Sequence, residues 1–238
     1  MIGFAARIPL YRMLGPEGIG KYQMVYSLYA VLLTLITGGF PTVLALTAAN
    51  NQTQGWRLFK ILSLLFIILG VAASFFCYAF APVLAQRFGD EGLTFAIRCT
   101  AVTILLAPIL SLVRGFLQGV EAYAHIAVSE LIEQAVRVVT MLALVSFWIN
   151  KGSGIAVSGA ILGAFVGAGA AFCFLIAVLV RLPYQPVQHR HRGGDLFLSV
   201  NMSQLLQATL LISLSRFLVP LSEFLDVLII PTDCRRQV

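Results

Sequence analysis

The sequence predicts an all-α membrane protein, a polytopic helical bundle. Three observations lead there. First, 59% of the 238 residues are hydrophobic and only 11% are charged, less than half the roughly 25% charged share of a soluble domain. Second, mean hydropathy is +0.92. Third, apolar runs of about twenty residues recur along the whole length, and a helix of that length crosses the hydrocarbon core. Such unbroken runs favour helices over a barrel, whose strands would alternate over roughly ten residues. The net charge of +6 is no nucleic-acid signal, because the sixteen Lys and Arg residues are scattered over loops and helix ends. That pattern fits topology and lipid headgroups, so membrane lipids are expected partners and nucleic acid is not.

The elements follow in order. A first span covers about residues 1–14, too short to cross alone. "GPEGIGKY" (15–22) reads as a turn-rich loop. Further spans are expected at about 23–49, 58–85, 93–117, 124–148 and 154–180. "RLPYQPVQHRHRGG" (181–194) is a Pro- and Arg-containing linker, and a long seventh span runs to about residue 230. The start of the chain lacks the charged and apolar regions of a cleavable signal peptide.

Orientation follows from Lys and Arg in the loops. Arg57, Lys60, Arg114, Arg181, Arg190 and Arg192 fall on one side. Arg12, Lys21, Arg87 and Lys151 fall on the other, among Glu17, Asp90 and Glu91. This bias places the linker in the cytoplasm and the multi-pass chain in the cell membrane. It also leaves the tail "DCRRQV" on the side that its two arginines oppose.

Helix breakers interrupt several spans. "GGFP" (38–41), Pro9, Pro82, Pro108 and Pro220 all lie within them. Pro removes a backbone donor, and such breaks survive in a membrane where neighbours or a wet cavity satisfy the freed groups. Gly159, Gly163 and Gly167 form a small-residue ridge for close helix packing. Cys77, Cys99 and Cys173 sit in apolar runs as small packing residues, with no metal or disulfide pattern. Asn51-Gln-Thr and Asn201-Met-Ser match the glycosylation pattern, which is frequent by chance.

The charged residues carry the functional signal. In "SELIEQAVR", Ser129, Glu130, Glu133, Gln134 and Arg137 fall within an arc of roughly 140° at 100° per residue. Glu133 and Arg137 stand at i, i+4 in the favourable order. Ionisable groups at membrane depth face protein or water, so this stripe is expected to point inward. It is either the wall of a polar pathway or an ion pair locking helices together. Arg114 and Gln118, at i, i+4, are an interfacial anchor or a continuation of that wall. The last apolar run holds Arg216, Glu223 and Asp226, and the first short span holds Arg7 and Arg12. Several guanidinium groups in one interior suit a phosphate-bearing cargo. Enzyme motifs are missing: there is no Walker loop, HExxH or GxSxG. "HRHR" (189–192) suits topology or headgroups better than a metal. No enzyme activity and no cofactor are expected.

"GFAARIPLYRMLGPEGIGKYQMVYSLY", "GGFP", "RGFLQG" and "SELIEQAVR" together resemble the stage V sporulation protein B group of polysaccharide transporters. That group lies within the multidrug/oligosaccharidyl-lipid/polysaccharide flippase superfamily. The resemblance runs from residue 2 to about residue 230. It implies two helical lobes around a cavity that opens alternately to each side, and a lipid-linked sugar or peptidoglycan precursor as cargo. In spore formers, cortex synthesis is the implied pathway. Cavity arginines would hold the diphosphate, with Arg12 matching the relatives' first-helix pattern, Arg7 displaced by one place and Arg216 on a corresponding helix.

On this resemblance, residues 1–181 form an N-terminal lobe whose first span is truncated. Residues 182–194 form the cytoplasmic linker, and 195–232 the first helix of a second lobe. Relatives read approximately Pro-x-Arg-Leu-Gln-Ala-Ala-Gly where this chain reads "PTDCRRQV", so 233–238 are expected to be an out-of-frame tail. Transport by so short a chain alone is not expected, and a coupling ion remains open. The alternatives are a cation-coupled multidrug exporter of the same superfamily, a membrane glycan polymerase or ligase, and an inert gene remnant.

Overall fold

A computed structural model of the chain describes residues 2–181, 211 and 213–225, with side chains from Ile8 onward, Lys151 excepted. The described residues are helices and short connections. They comprise α1 (Ile2–Thr37), α2 (Phe40–Asn50), α3 (Gln52–Phe88), α4 (Thr94–Gly119), α5 (Tyr123–Trp148) and α6 (Ser153–Arg181), followed by a further helix, α7, over 213–225. Five of the resulting spans are long and apolar enough to cross a membrane. The linker, the ends of the seventh span, Asp226 and the tail lie outside the described residues.

The expected loop at 15–22 is mostly helix. One residue makes the break: Gly15 has φ 68° and ψ 178°, a conformation open essentially to glycine alone. Pro16 follows, and its fixed φ starts a helix well. α1 is therefore two limbs joined at Gly15. The second break falls at Gly38, with φ +47°, where "GGFP" separates α1 from α2. α3 begins on Asn51, whose side chain accepts from the Thr53 and Gln54 amides at 3.0 and 3.1 Å. That asparagine of the glycosylation pattern thus serves as a helix cap. α3 ends at Gly89, left-handed at φ 85°.

α4 is the central helix and touches α1, α2, α3, α5 and α6. Glycines permit the closest approaches. A Cβ on Gly115 would lie 2.6 Å from the Pro41 carbonyl oxygen, and one on Gly119 would strike Ala45, so α2 lies directly against α4. The ridge on α6 meets α5. A Cβ on Gly163 would lie 2.9 Å from Met141, and one on Gly167 would lie 2.7 Å from the Glu133 carbonyl oxygen. Hydroxyls within the spans return to their own helices, as Thr34 does to the Ala30 carbonyl and Thr103 to that of Cys99, at 2.8 and 3.1 Å. This satisfies them without water. Cys77 and Cys99 are buried packing residues as expected. Cys173 is exposed, because it lies off the α6 face that carries the glycines.

α7 lies against this bundle through Ser213 and Phe224, among other described residues. The Gly39 amide donates to Ser213 Oγ at 2.7 Å. Phe224 meets Phe88 edge to face, with centroids 6.3 Å apart.

Candidate functional site

The site grows from the third turn of α5. Glu133 is 8% exposed. Arg137, one turn further on the same face, pairs with its Oε1. The turn at 120–122, with Glu121 at φ 60°, folds α5 back beside α4. That return brings Arg114 Nη2 to 2.8 Å from Glu133 Oε2. Arg114 Nε donates to Ser129 Oγ at 3.2 Å, and the Ser129 hydroxyl donates to the Ile126 carbonyl at 2.7 Å. Gly167 of α6 abuts the Glu133 main chain. Three helices thus hold one carboxylate between two guanidinium groups.

The electrostatics are unbalanced. Two arginines and one glutamate leave one formal positive charge among apolar helices. Desolvating such ions is costly unless their hydrogen bonds are completed. They are incomplete here. Arg137 Nε is buried and has no hydrogen-bond partner among the described residues. Arg114 Nη2 sits at ion-pair distance from Glu133, but its N–H points off the hydrogen-bond line. A cluster with surplus positive charge and idle donors can accept an anion, and arginine suits phosphate oxygens.

Of the five residues in the stripe, Ser129 and Glu133 are buried, Gln134 and Arg137 are half-buried, and Glu130 is exposed. Arg114 joins the cluster, whereas Gln118, one turn beyond, is exposed. Arg12, Arg216 and Glu223 are exposed and make no ion pair among the described residues. The side chain of Arg7, like Asp226, lies outside the described residues.

Two features escaped the sequence reading. Tyr22, Tyr26 and Tyr29 run along α1 with successive ring centroids 5.7 and 6.0 Å apart. Tyr29 lies within electrostatic reach of Arg137 and Glu133. Their i, i+4, i+7 spacing was the available signal. The second feature is Arg98, whose guanidinium lies 5.0 Å above the Tyr78 ring.

A second ionic cluster stands beyond the opposite end of α4. Lys21 Nζ lies 2.7 Å from Glu17 and 2.8 Å from Asp90, and it donates to Ser153 Oγ at 2.9 Å. Asp90 Oδ1 also accepts from the Gly92 amide at 2.8 Å. The Lys21 hydrogen bond holds the Asp90 carboxyl below its ordinary range, against the opposing effect of desolvation. Among the described residues, no group of three His, Cys, Asp or Glu is placed to hold a metal.

Comparison with known proteins gives a consistent picture. Residues 1–232 match the family described as "Polysaccharide biosynthesis protein". The lipid II flippase MurJ of Bacillus subtilis is 31% identical over 185 residues, covering 71% of this chain and 34% of the relative. Stage V sporulation protein B of the same organism is 26% identical over 241 residues, covering 97% of this chain and 46% of the relative. The uncharacterized membrane protein YabM, also from that bacterium, is 31% identical over 156 residues, covering 65% of this chain and 29% of the relative. The chain spans less than half the length of each of these relatives. No solved structure gives a significant match. The broken first helices, the membrane-length bundle and the match along nearly all of the sequence agree: this chain belongs to the polysaccharide biosynthesis protein family.

Proposed function

We propose that the chain forms one helical lobe of a flippase for lipid-linked saccharide precursors, such as those of peptidoglycan. One observation carries this reading: the partly buried cluster of Arg114, Glu133 and Arg137 keeps a surplus positive charge between apolar helices. A lipid-linked saccharide presents a diphosphate between a hydrocarbon chain and a polar head, and such a cluster meets that charge. The flippase named among the relatives supports the same cargo class. The relative named for sporulation supports spore cortex synthesis as the pathway.

On this reading residues 182–194 are a cytoplasmic linker and α7 opens a second lobe. The exposed Arg12 and Arg216, together with Arg7, Glu223, Asp226, Glu130 and Gln118, complete the wall of a cavity between lobes. Transport proceeds by rocking of the two lobes, so the 238 residues by themselves bind cargo without moving it. The test is reconstitution in vesicles with a fluorescent lipid-linked diphosphate sugar. Binding without flipping above empty vesicles is the expected result. Substrate-dependent flipping by this chain alone would overturn the one-lobe reading, and failure to bind would overturn the cargo.

A further inference from the structure

We infer that Glu133 is a resident anion that the cargo must displace. By competing for Arg114 and Arg137, it sets how tightly a phosphate-bearing ligand is kept and how readily it leaves. The inference rests on the cargo class proposed above, and it assigns that site a built-in competitor.

The geometry supplies the argument. Each oxygen of Glu133 serves a different arginine, Oε2 facing Arg114 and Oε1 facing Arg137. Neither arginine therefore presents its paired donors to one carboxylate, the arrangement that makes guanidinium–anion contacts strong. The leftover donors are visible: among the described residues Arg137 Nε is buried without a partner, and the Arg114 Nη2 N–H points off line. A phosphate group, with more oxygens and more charge, would satisfy donors that the glutamate leaves idle.

The framework around the carboxylate is fixed. Gly167 packs on the Glu133 carbonyl, so the main chain cannot retreat. Arg114 is tethered through Nε to Ser129. The movable part is the Glu133 side chain, held by its ion pair with Arg114 and by the ion pair and hydrogen bond from Arg137 Nη2. Displacing it exchanges one anion for another and never leaves two guanidinium groups facing each other without a counter-ion. A purely structural ion pair would behave in the opposite way, since removing its carboxylate would loosen the helices and weaken any ligand.

The experiment uses the full 238-residue chain in lipid nanodiscs. Geranylgeranyl diphosphate is the probe, and geranylgeraniol is the uncharged control. Glu133→Gln keeps the shape and removes the competing charge. It should bind the diphosphate about tenfold tighter and release it more slowly. Glu133→Asp draws the carboxylate back from Arg114 and should tighten binding to a smaller degree; it serves alone if the glutamine chain does not fold. Arg137→Gln and Arg114→Gln should each weaken binding about tenfold. If the arginine variants weaken binding while Glu133→Gln and Glu133→Asp leave it unchanged or weaker, the competitor role is overturned and the cargo reading stands. If neither the wild-type chain nor Glu133→Gln distinguishes the diphosphate from the alcohol, both readings fall.

Discussion

Two ionic clusters stand toward opposite ends of α4, and their chemistry is nearly mirror-imaged. One gathers two cations on one anion, Arg114 and Arg137 on Glu133. The other gathers two anions on one cation, Glu17 and Asp90 on Lys21. Their settings differ more than their composition. Glu133 is 8% exposed, whereas the Glu17 side chain is 78% exposed. In the second cluster Lys21 is only 18% exposed, but water reaches Glu17 and Asp90 and rescues either carboxylate when the lysine is lost. In the first the anion has almost no such reserve, so Glu133 depends on its two arginines. The same pairing is thus a clasp at one end and a charged interior site at the other, and burial makes the difference.

The sharpest way to break this comparison is to remove one partner from each cluster. Glu133→Ala leaves two guanidinium groups in an apolar interior and should cost about 3–5 kcal/mol, read by denaturant titration in mixed micelles. That loss should shrink when a diphosphate lipid is added. Next in size is steric pressure on the buried cluster. Gly167→Ala places a methyl within 2.7 Å of the Glu133 carbonyl, for about 1–3 kcal/mol by the same titration. Gly20→Ala, which meets nothing within 4 Å, is its neutral control.

Smaller still is Lys21→Ala, expected to cost less than about 1 kcal/mol. A cost equal to that of Glu133→Ala would erase the distinction between the clusters. The mildest effect is one of pH. Because the Asp90 carboxyl is held below its ordinary value of 3.8, its pairing with Lys21 contributes fully above that value. The contribution is lost as pH falls through the lower folded value. Carboxyl-carbon NMR should show the Asp90 midpoint move upward in Lys21→Ala.

The spans were legible because hydropathy over about twenty residues needs no knowledge of neighbours. The breaks were legible as Gly and Pro, but their extent was not. At residues 15–22 a single glycine conformation suffices, and helix resumes at once. The Glu133–Arg137 pair was legible from spacing within one helix. Its third member was harder to find, since Arg114 meets Glu133 only through the turn around Glu121, and helical periodicity carries no information across a turn. Glu130 lies within the same arc and is exposed in this lobe, and periodicity alone does not say what an exposed face of α5 meets. The glycine ridge on α6 was read correctly, whereas Gly115 and Gly119 were passed over because α2 is too short to advertise a packing partner.

The break at Gly38 and Gly39 has a consequence for motion. Its amide hydrogen on Gly39 finds an acceptor in Ser213 of α7, a residue 174 positions away. In hydrocarbon a freed amide has nowhere else to turn. Any movement that carries α7 off the bundle must therefore admit a water molecule to that spot, or carry the next acceptor into it. Parting the helices at this junction therefore means exchanging the Ser213 acceptor for another.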